Sequence, residues 1–207
     1  MKRSSKDSGQ WVKVWDPLVR AGHWLLVAGF FIAWITDDDL ELLHTWAGYL
    51  VGGIVAWRLV WGLIGTRHAR FTDFVFGPAT VMRYAKSMFT RHPIHYLGHN
   101  PLGGYMVLAL LLMLSLTTWT GLELYASEGK GPLATNSHAL TQAFANGGDR
   151  KKRINDAGEE LWEELHEVCA NLTMMLIVLH IAGVLLSSLI HRENLIAGMI
   201  SGYKRAK

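Results

Sequence analysis

Apolar residues in this chain gather into four stretches, at about Leu18–Thr36, Thr45–Ile64, Leu102–Leu122 and Val168–Ile190. Each approaches the ~20 residues a helix needs to cross the hydrocarbon of a bilayer. The pattern predicts four membrane-spanning helices, an all-α integral membrane four-helix bundle. Between the second and third, apolar Val81, Met82, Ala85, Met88 and Phe89 recur at helical spacing among Arg83, Lys86 and Arg91. That alternation predicts an interfacial helix over about residues 78–91, lying on the cytoplasmic membrane surface. The one large extramembrane region is 123–165, read as a periplasmic loop. It holds a Gly-, Ser- and Asn-containing stretch, a mixed-charge run from Asp149 to Asp156, and an acidic helix start at Glu159, Glu160, Glu163 and Glu164. No repeat or low-complexity tract suggests a second domain, so residues 1–207 read as a single membrane domain.

Totals of 50% hydrophobic and 18% charged residues in 207 would also suit a soluble domain, and only their distribution excludes it. The first stretch follows a polar segment, carries Arg20 and His23, and lacks a small-residue cleavage site before Asp37, so it is expected to stay in the mature protein. Lys2, Arg3, Lys6, Lys13 and Arg20 precede or open the first helix; Arg67, Arg70, Arg83, Lys86 and Arg91 join the second to the third; Arg192, Lys204, Arg205 and Lys207 follow the fourth. The excess of basic residues predicts that these regions, and both termini, are cytoplasmic. The first loop, with Asp37, Asp38, Asp39 and Glu41, faces the other side. Arg150–Arg153 lie in the long outer loop, where basic residues carry little topological weight. The formal charge of +3 thus reflects topology, and no nucleic-acid partner is expected.

Against this frame the histidines acquire meaning. His166 and His180 lie fourteen residues apart on the fourth helix, which returns both imidazoles to nearly one face with roughly 21 Å of rise between them. His23 falls early in the first helix and His44 at the outer start of the second. Their depths pair His44 with His166 and His23 with His180, the inner match being off by about 5 to 8 Å. Inward-facing histidines in two layers suit axial ligation of two haem irons. A single cysteine, Cys169, excludes an internal disulfide, and no Cys-x-x-Cys-His tethers a haem, so any haem is non-covalent haem b. Cys169 itself reads as a small packing residue.

Neighbouring residues bear on this assignment. Gly48 and Gly52 follow His44 at four-residue intervals and Gly183 follows His180, leaving faces where a macrocycle could approach or where helices could simply pack closely. Arg58, fourteen residues after His44, sits at the inner layer, where an unpaired charge is expensive and a haem propionate would balance it. Arg20 could serve likewise, or snorkel to the interface. In GHNPLGG, His99 and Asn100 could hydrogen-bond a quinone carbonyl, or Asn100 and Pro101 could cap and start the third helix. His68, His92, His95, His138 and His191 read as solvated or headgroup-facing, and most of the nine Trp residues as interfacial anchors.

The run VWDPLVRAGHW, the segment HTWAGYLVGGIVAWRLVWGLIGTRHARF, the turn GHNPLGG and the two histidines of the fourth helix resemble the bacterial cytochrome b561 family, which includes the di-haem cytochrome b subunits of membrane-bound nickel-iron hydrogenases. The likeness spans nearly the whole chain except 123–165. It implies a multi-pass protein of the bacterial inner membrane, with bis-histidine ligation by His23 and His180 at an inner haem and by His44 and His166 at an outer one.

The expected function is therefore electron transfer between the quinone pool and a periplasmic redox partner, a c-type cytochrome or a hydrogenase small subunit, with a slight preference for the cytochrome. A homodimer is compatible with the sequence. Two alternatives remain: a stand-alone haem oxidoreductase acting on a small outer-side substrate, and a haem-free membrane anchor or transporter. The latter would cluster its ligands at one depth or break its helices at the midplane. No Ser-His-Asp pattern, HExxH or Gly-rich phosphate loop points to hydrolytic or nucleotide chemistry.

Overall fold

A computed structural model describes residues 11–37, 40–88, 90, 94–134 and 148–205. Its elements are β1 (Trp11–Lys13), α1 (Pro17–Ile35), α2 (Glu41–Ile64), a 3-10 turn (Arg67–Ala69), α3 (Phe71–Phe74), α4 (Pro78–Ser87), α5 (Pro101–Ser127), α6 (Gly148–His191), α7 (Leu195–Ser201) and β2 (Tyr203–Arg205). Four of these, α1, α2, α5 and Ala157–His191 of α6, are long and apolar enough to cross a membrane. Their surfaces agree with a lipid surround: Leu25, Ile32, Leu50, Leu112, Leu179 and Leu185 are all exposed, which water would penalise and hydrocarbon would not.

The helix bounds differ from the sequence expectation chiefly at α5, which runs on to Ser127, and at α6, which begins at Gly148. Part of the region read as a loop over 123–165 is therefore helical. The run from Asp149 to Leu165 contains no proline and is rich in Arg, Lys and Glu, all good helix formers, so the helix continues past the apolar stretch. The interfacial helix spans Pro78–Ser87, and Phe89 and Arg91–Pro93 lie outside the described residues. Its most buried positions are Tyr84 and Ser87, while Met82 is exposed, so the buried face is centred differently from the expected Val81–Met82–Ala85 stripe.

Contacts divide the chain into two compact units, Met1–Trp24 with Trp57–Val107 and Leu179–Lys207, and Leu25–Ala56 with Leu108–Val178. In the first, β1 pairs antiparallel with β2, Trp11 opposite Arg205 and Lys13 opposite Tyr203, a small sheet the sequence did not announce. Asp16 opens α1: its Oδ1 accepts from Val19 N at 2.8 Å, while its Oδ2 accepts from Thr66 Oγ1 at 2.5 Å and Trp61 Nε1 at 3.3 Å. Burial opposes the charge on this carboxylate, but those hydrogen bonds outweigh it and hold its pKa below the usual value. Gly202, at φ +88°, ends α7 in the left-handed conformation that a glycine adopts without strain.

The second unit has its core in Phe30, Val51, Val55 and Leu114, with Leu26, Met174 and Ile177 packed on it. Close approach of α1, α2 and α5 within it depends on small residues. A Cβ at Gly29 would lie 3.0 Å from Val51 and one at Gly52 would lie 2.6 Å from Thr118. Thr117, Thr120 and Thr173 turn their hydroxyls back to the carbonyls of Met113, Leu116 and Cys169, and Thr117 and Thr173 meet at 3.0 Å. Polar side chains in an apolar helix are thus satisfied internally, as hydrocarbon requires.

Candidate functional site

Within the second unit His44, near the start of α2, and His166, on α6, face each other with ring centroids 6.0 Å apart and planes at 80°. His44 donates from Nδ1 to the Ala33 carbonyl oxygen at 2.9 Å, with Asp37 Oδ1 at 3.5 Å. His166 donates from Nδ1 to the Thr117 carbonyl oxygen at 3.0 Å and lies 3.2 Å from Thr120 Oγ1, whose proton already goes to Leu116. Since a carbonyl can only accept, both rings carry their proton on Nδ1. In the neutral ring this leaves Nε2 as the atom with a free lone pair, the arrangement found at metal-binding histidines.

Gly121 sits against the His166 ring. A Cβ there would lie 2.8 Å from Cε1, inside contact distance. Gly121→Ala is expected to push the imidazole off its present rotamer and to lower any haem content that depends on this pair, leaving the other pair untouched. Haem content of the purified variant checks this; an unchanged content means that the ring has room to yield.

In the first unit His23 of α1 and His180 of α6 lie with ring centroids 6.5 Å apart at 54°. His23 Nδ1 is buried and has no hydrogen-bond partner. Arg58 is 8% exposed, and its guanidinium lies 5.3 Å from the centre of the Phe71 ring. Its Nη1 lacks a partner, and among the described residues no carboxylate pairs with it. Arg20 gives one terminal nitrogen to the Ile200 carbonyl and buries an unpartnered Nε. The charge is tied to the chain after α6, so simple snorkelling does not describe it.

His99 precedes α5, its ring centroid 4.6 Å from that of Trp15 and 4.5 Å from that of Phe74, and its buried Nδ1 has no partner. Burial, with Arg58, Lys204, His68 and His180 adding positive charge nearby, drives its pKa down to about 3, so the ring is neutral at ordinary pH. Asn100 caps α5, its Oδ1 accepting from Gly103 N at 2.7 Å. The capping alternative is therefore realised, and the amide nitrogen stays available as a donor.

The structure brings together each of the two histidine pairs expected from depth. Three histidines expected to be merely solvated have partners: His68 with Asp73 at 2.9 Å, His95 with Glu193 at 2.7 Å, and His191 with Tyr84 at 3.3 Å. His92 and His138 lie outside the described residues. What the sequence reading missed are the supports of His166, namely Thr117, Thr120 and Gly121. The signal was present, since a TTWTG run in an otherwise apolar helix demands internal partners for its hydroxyls.

Four spans apolar enough to cross a membrane, three of them carrying the histidines that face one another in pairs, define a helical membrane protein. The chain belongs to the prokaryotic cytochrome b561 family, whose family model matches residues 14–202. Two relatives described as probable Ni/Fe-hydrogenase B-type cytochrome subunits are similar to it. The one from Rhodobacter capsulatus is 24% identical over 95% of this chain and 82% of its own length. The one from Rhizobium leguminosarum bv. viciae is 25% identical over 96% and 90%. No solved structure matches the chain. A b-type cytochrome carries haem b, and the residues present fit such a group. A Cβ at Gly48 or Gly183 would meet nothing within 4 Å, leaving open space beside His44 and His180, and the orphaned His23 Nδ1 and Arg58 Nη1 await polar partners.

Proposed function

We propose that the chain holds two haem b groups, one between His44 and His166 and one between His23 and His180, and passes electrons between quinone and a redox partner across the membrane. The observation that carries this reading is the spacing of the two pairs. Two metal–nitrogen bonds of about 2 Å, each with a ring centre about 1 Å further on, separate the imidazole centroids by about 6 Å. The observed 6.0 and 6.5 Å match that requirement for both pairs. When bound, haem b supplies reversible one-electron chemistry.

The residues do the rest. Ala33 and Thr117 hold the His44 and His166 rings by their Nδ1 protons. Arg58 and Arg20, both in the chain's first unit, offer positive charge to propionates. His99, neutral and with an orphaned Nδ1, offers a hydrogen bond to a quinone oxygen, and the Asn100 amide adds a second donor. The basic connections support a cytoplasmic position, in the bacterial inner membrane, for the His23–His180 pair, His99 and both termini. On the opposite side the partner is a c-type cytochrome or a hydrogenase; the names of the relatives favour a hydrogenase.

The test is a single preparation. Detergent-purified protein should contain two haem b per chain by pyridine haemochrome and be reduced by a short-chain quinol. His99→Ala should keep both haems and lose at least about tenfold in quinol-driven reduction. One haem or none in the parent protein, or full turnover in the variant, would reject the corresponding half of the reading.

A further inference from the structure

Interconversion of a quinone and its quinol moves two electrons and two protons, one proton at each oxygen. A quinone site at His99 must therefore exchange two protons with water in either direction of electron flow. The His99 Nδ1 cannot do this unaided, because Trp15 and Phe74 pack on the ring and that atom is sealed from solvent.

A route leads off from its own backbone. His68, on the 3-10 turn, donates from Nδ1 to Asp73 Oδ2 at 2.9 Å. Both side chains reach solvent, with 25% and 28% of their surface exposed. The pair abuts Gly98, the residue before His99: a Cβ there would lie 3.2 Å from His68 Nδ1 and 3.8 Å from Asp73 Oδ2. Asp73 and Phe74 are neighbours on α3, so one short helix supplies both the carboxylate that orients His68 and the ring that walls His99. Arg67 Nε lies 3.7 Å from Asp73 Oδ1, while Arg58 and Lys204 are the cations nearest in effect to His99.

We propose that His68, oriented by Asp73, is the proton-exchange residue that connects the quinone site at His99 with the aqueous surface. This rests on the quinone reading above. With Nδ1–H given to Asp73, Nε2 is the basic atom, and histidine is the side chain suited to give and take protons near neutral pH. In the oxidising direction each quinol O–H bond breaks, and its proton leaves the His99 corner at the Gly98 side, where His68 takes it up and hands it to water. The b-type haem, when bound, would take up the two electrons one at a time, leaving quinone. The reverse direction takes both protons from water along the same residues.

The experiment uses haem-loaded protein and a non-reducible quinone analogue. His68→Gln, which keeps a donor for Asp73 but cannot shuttle a proton, should slow quinol-driven reduction at least about tenfold. Analogue affinity by calorimetry and the haem spectrum should stay at parent values, and added imidazole should restore the rate, with stronger small bases restoring more. Asp73→Asn should slow the reaction less and shift its pH profile. A parent-like rate in His68→Gln, or a loss matched by weaker analogue binding and not rescued by small bases, would overturn the proposal. If the parent binds no analogue, or binds it as well after His99→Ala, the quinone site itself is elsewhere and both readings fall together.

Discussion

With the proposed ligation, haem b content is expected to fall from two to about one per chain in His180→Ala, and likewise in His166→Ala, because each substitution takes one of the two proposed axial ligands from a different pair. His180 has its ring partner in His23 and His166 has its in His44. Losing one ligand leaves the facing imidazole with nothing across from it, and among the described residues no further histidine ring packs against either pair. His95→Ala, which removes only a contact with Glu193, should keep both haems. Pyridine haemochrome quantification reads all three, and the low-spin signals remaining in a paramagnetic resonance spectrum identify which haem was lost. Equal losses in all three variants would reject the pairing.

The second large effect is a change of sign at Arg58. This guanidinium is buried in a membrane span with no carboxylate in ion-pair contact among the described residues, Asp16 acting on it only from a distance. An arginine there without a contacting counter-charge costs up to about 3 kcal/mol. Removing one member of a buried charge pair costs a similar ~3 kcal/mol or more, above a hundredfold in binding. Arg58→Met is therefore expected to raise the unfolding temperature of haem-free protein while weakening haem binding at the His23–His180 pair about a hundredfold. Thermal melts of the apoprotein and haem titrations distinguish the two. A destabilised apoprotein would mean that the cation is already satisfied by the protein, and would remove its claim on a propionate.

Much of the fold was legible because hydrocarbon is an unforgiving solvent. Uninterrupted apolar runs fixed α1 and α2 nearly to their ends. Depth along those helices then sorted His23, His44, His166 and His180 into pairs without any contact information. The same signal fails where the lipid ends. Hydrophobicity marks the bilayer boundary and says nothing of where helical hydrogen bonding stops, so the charged first turns of α6 from Gly148 read as loop. The β1–β2 sheet was invisible for another reason: three-residue strands whose partner lies nearly two hundred residues away carry no local pattern. His68 was underestimated because its partner Asp73 sits across a turn, where a one-dimensional reading shows two exposed polar residues instead of a hydrogen-bonded pair.

That small sheet also orders events during synthesis. β1 leaves the ribosome before any helix and β2 after all of them, so Trp11–Lys13 must wait through the insertion of every span before its partner exists. The Ile200 carbonyl that holds Arg20, and Gly202, which receives Val14 and Trp15 N–H groups on its carbonyl oxygen, arrive in the same final stretch. Trp15 is in turn one wall of the His99 enclosure. The surroundings of His99 thus need residues 200–205 in place, and until those have been made this corner stands open.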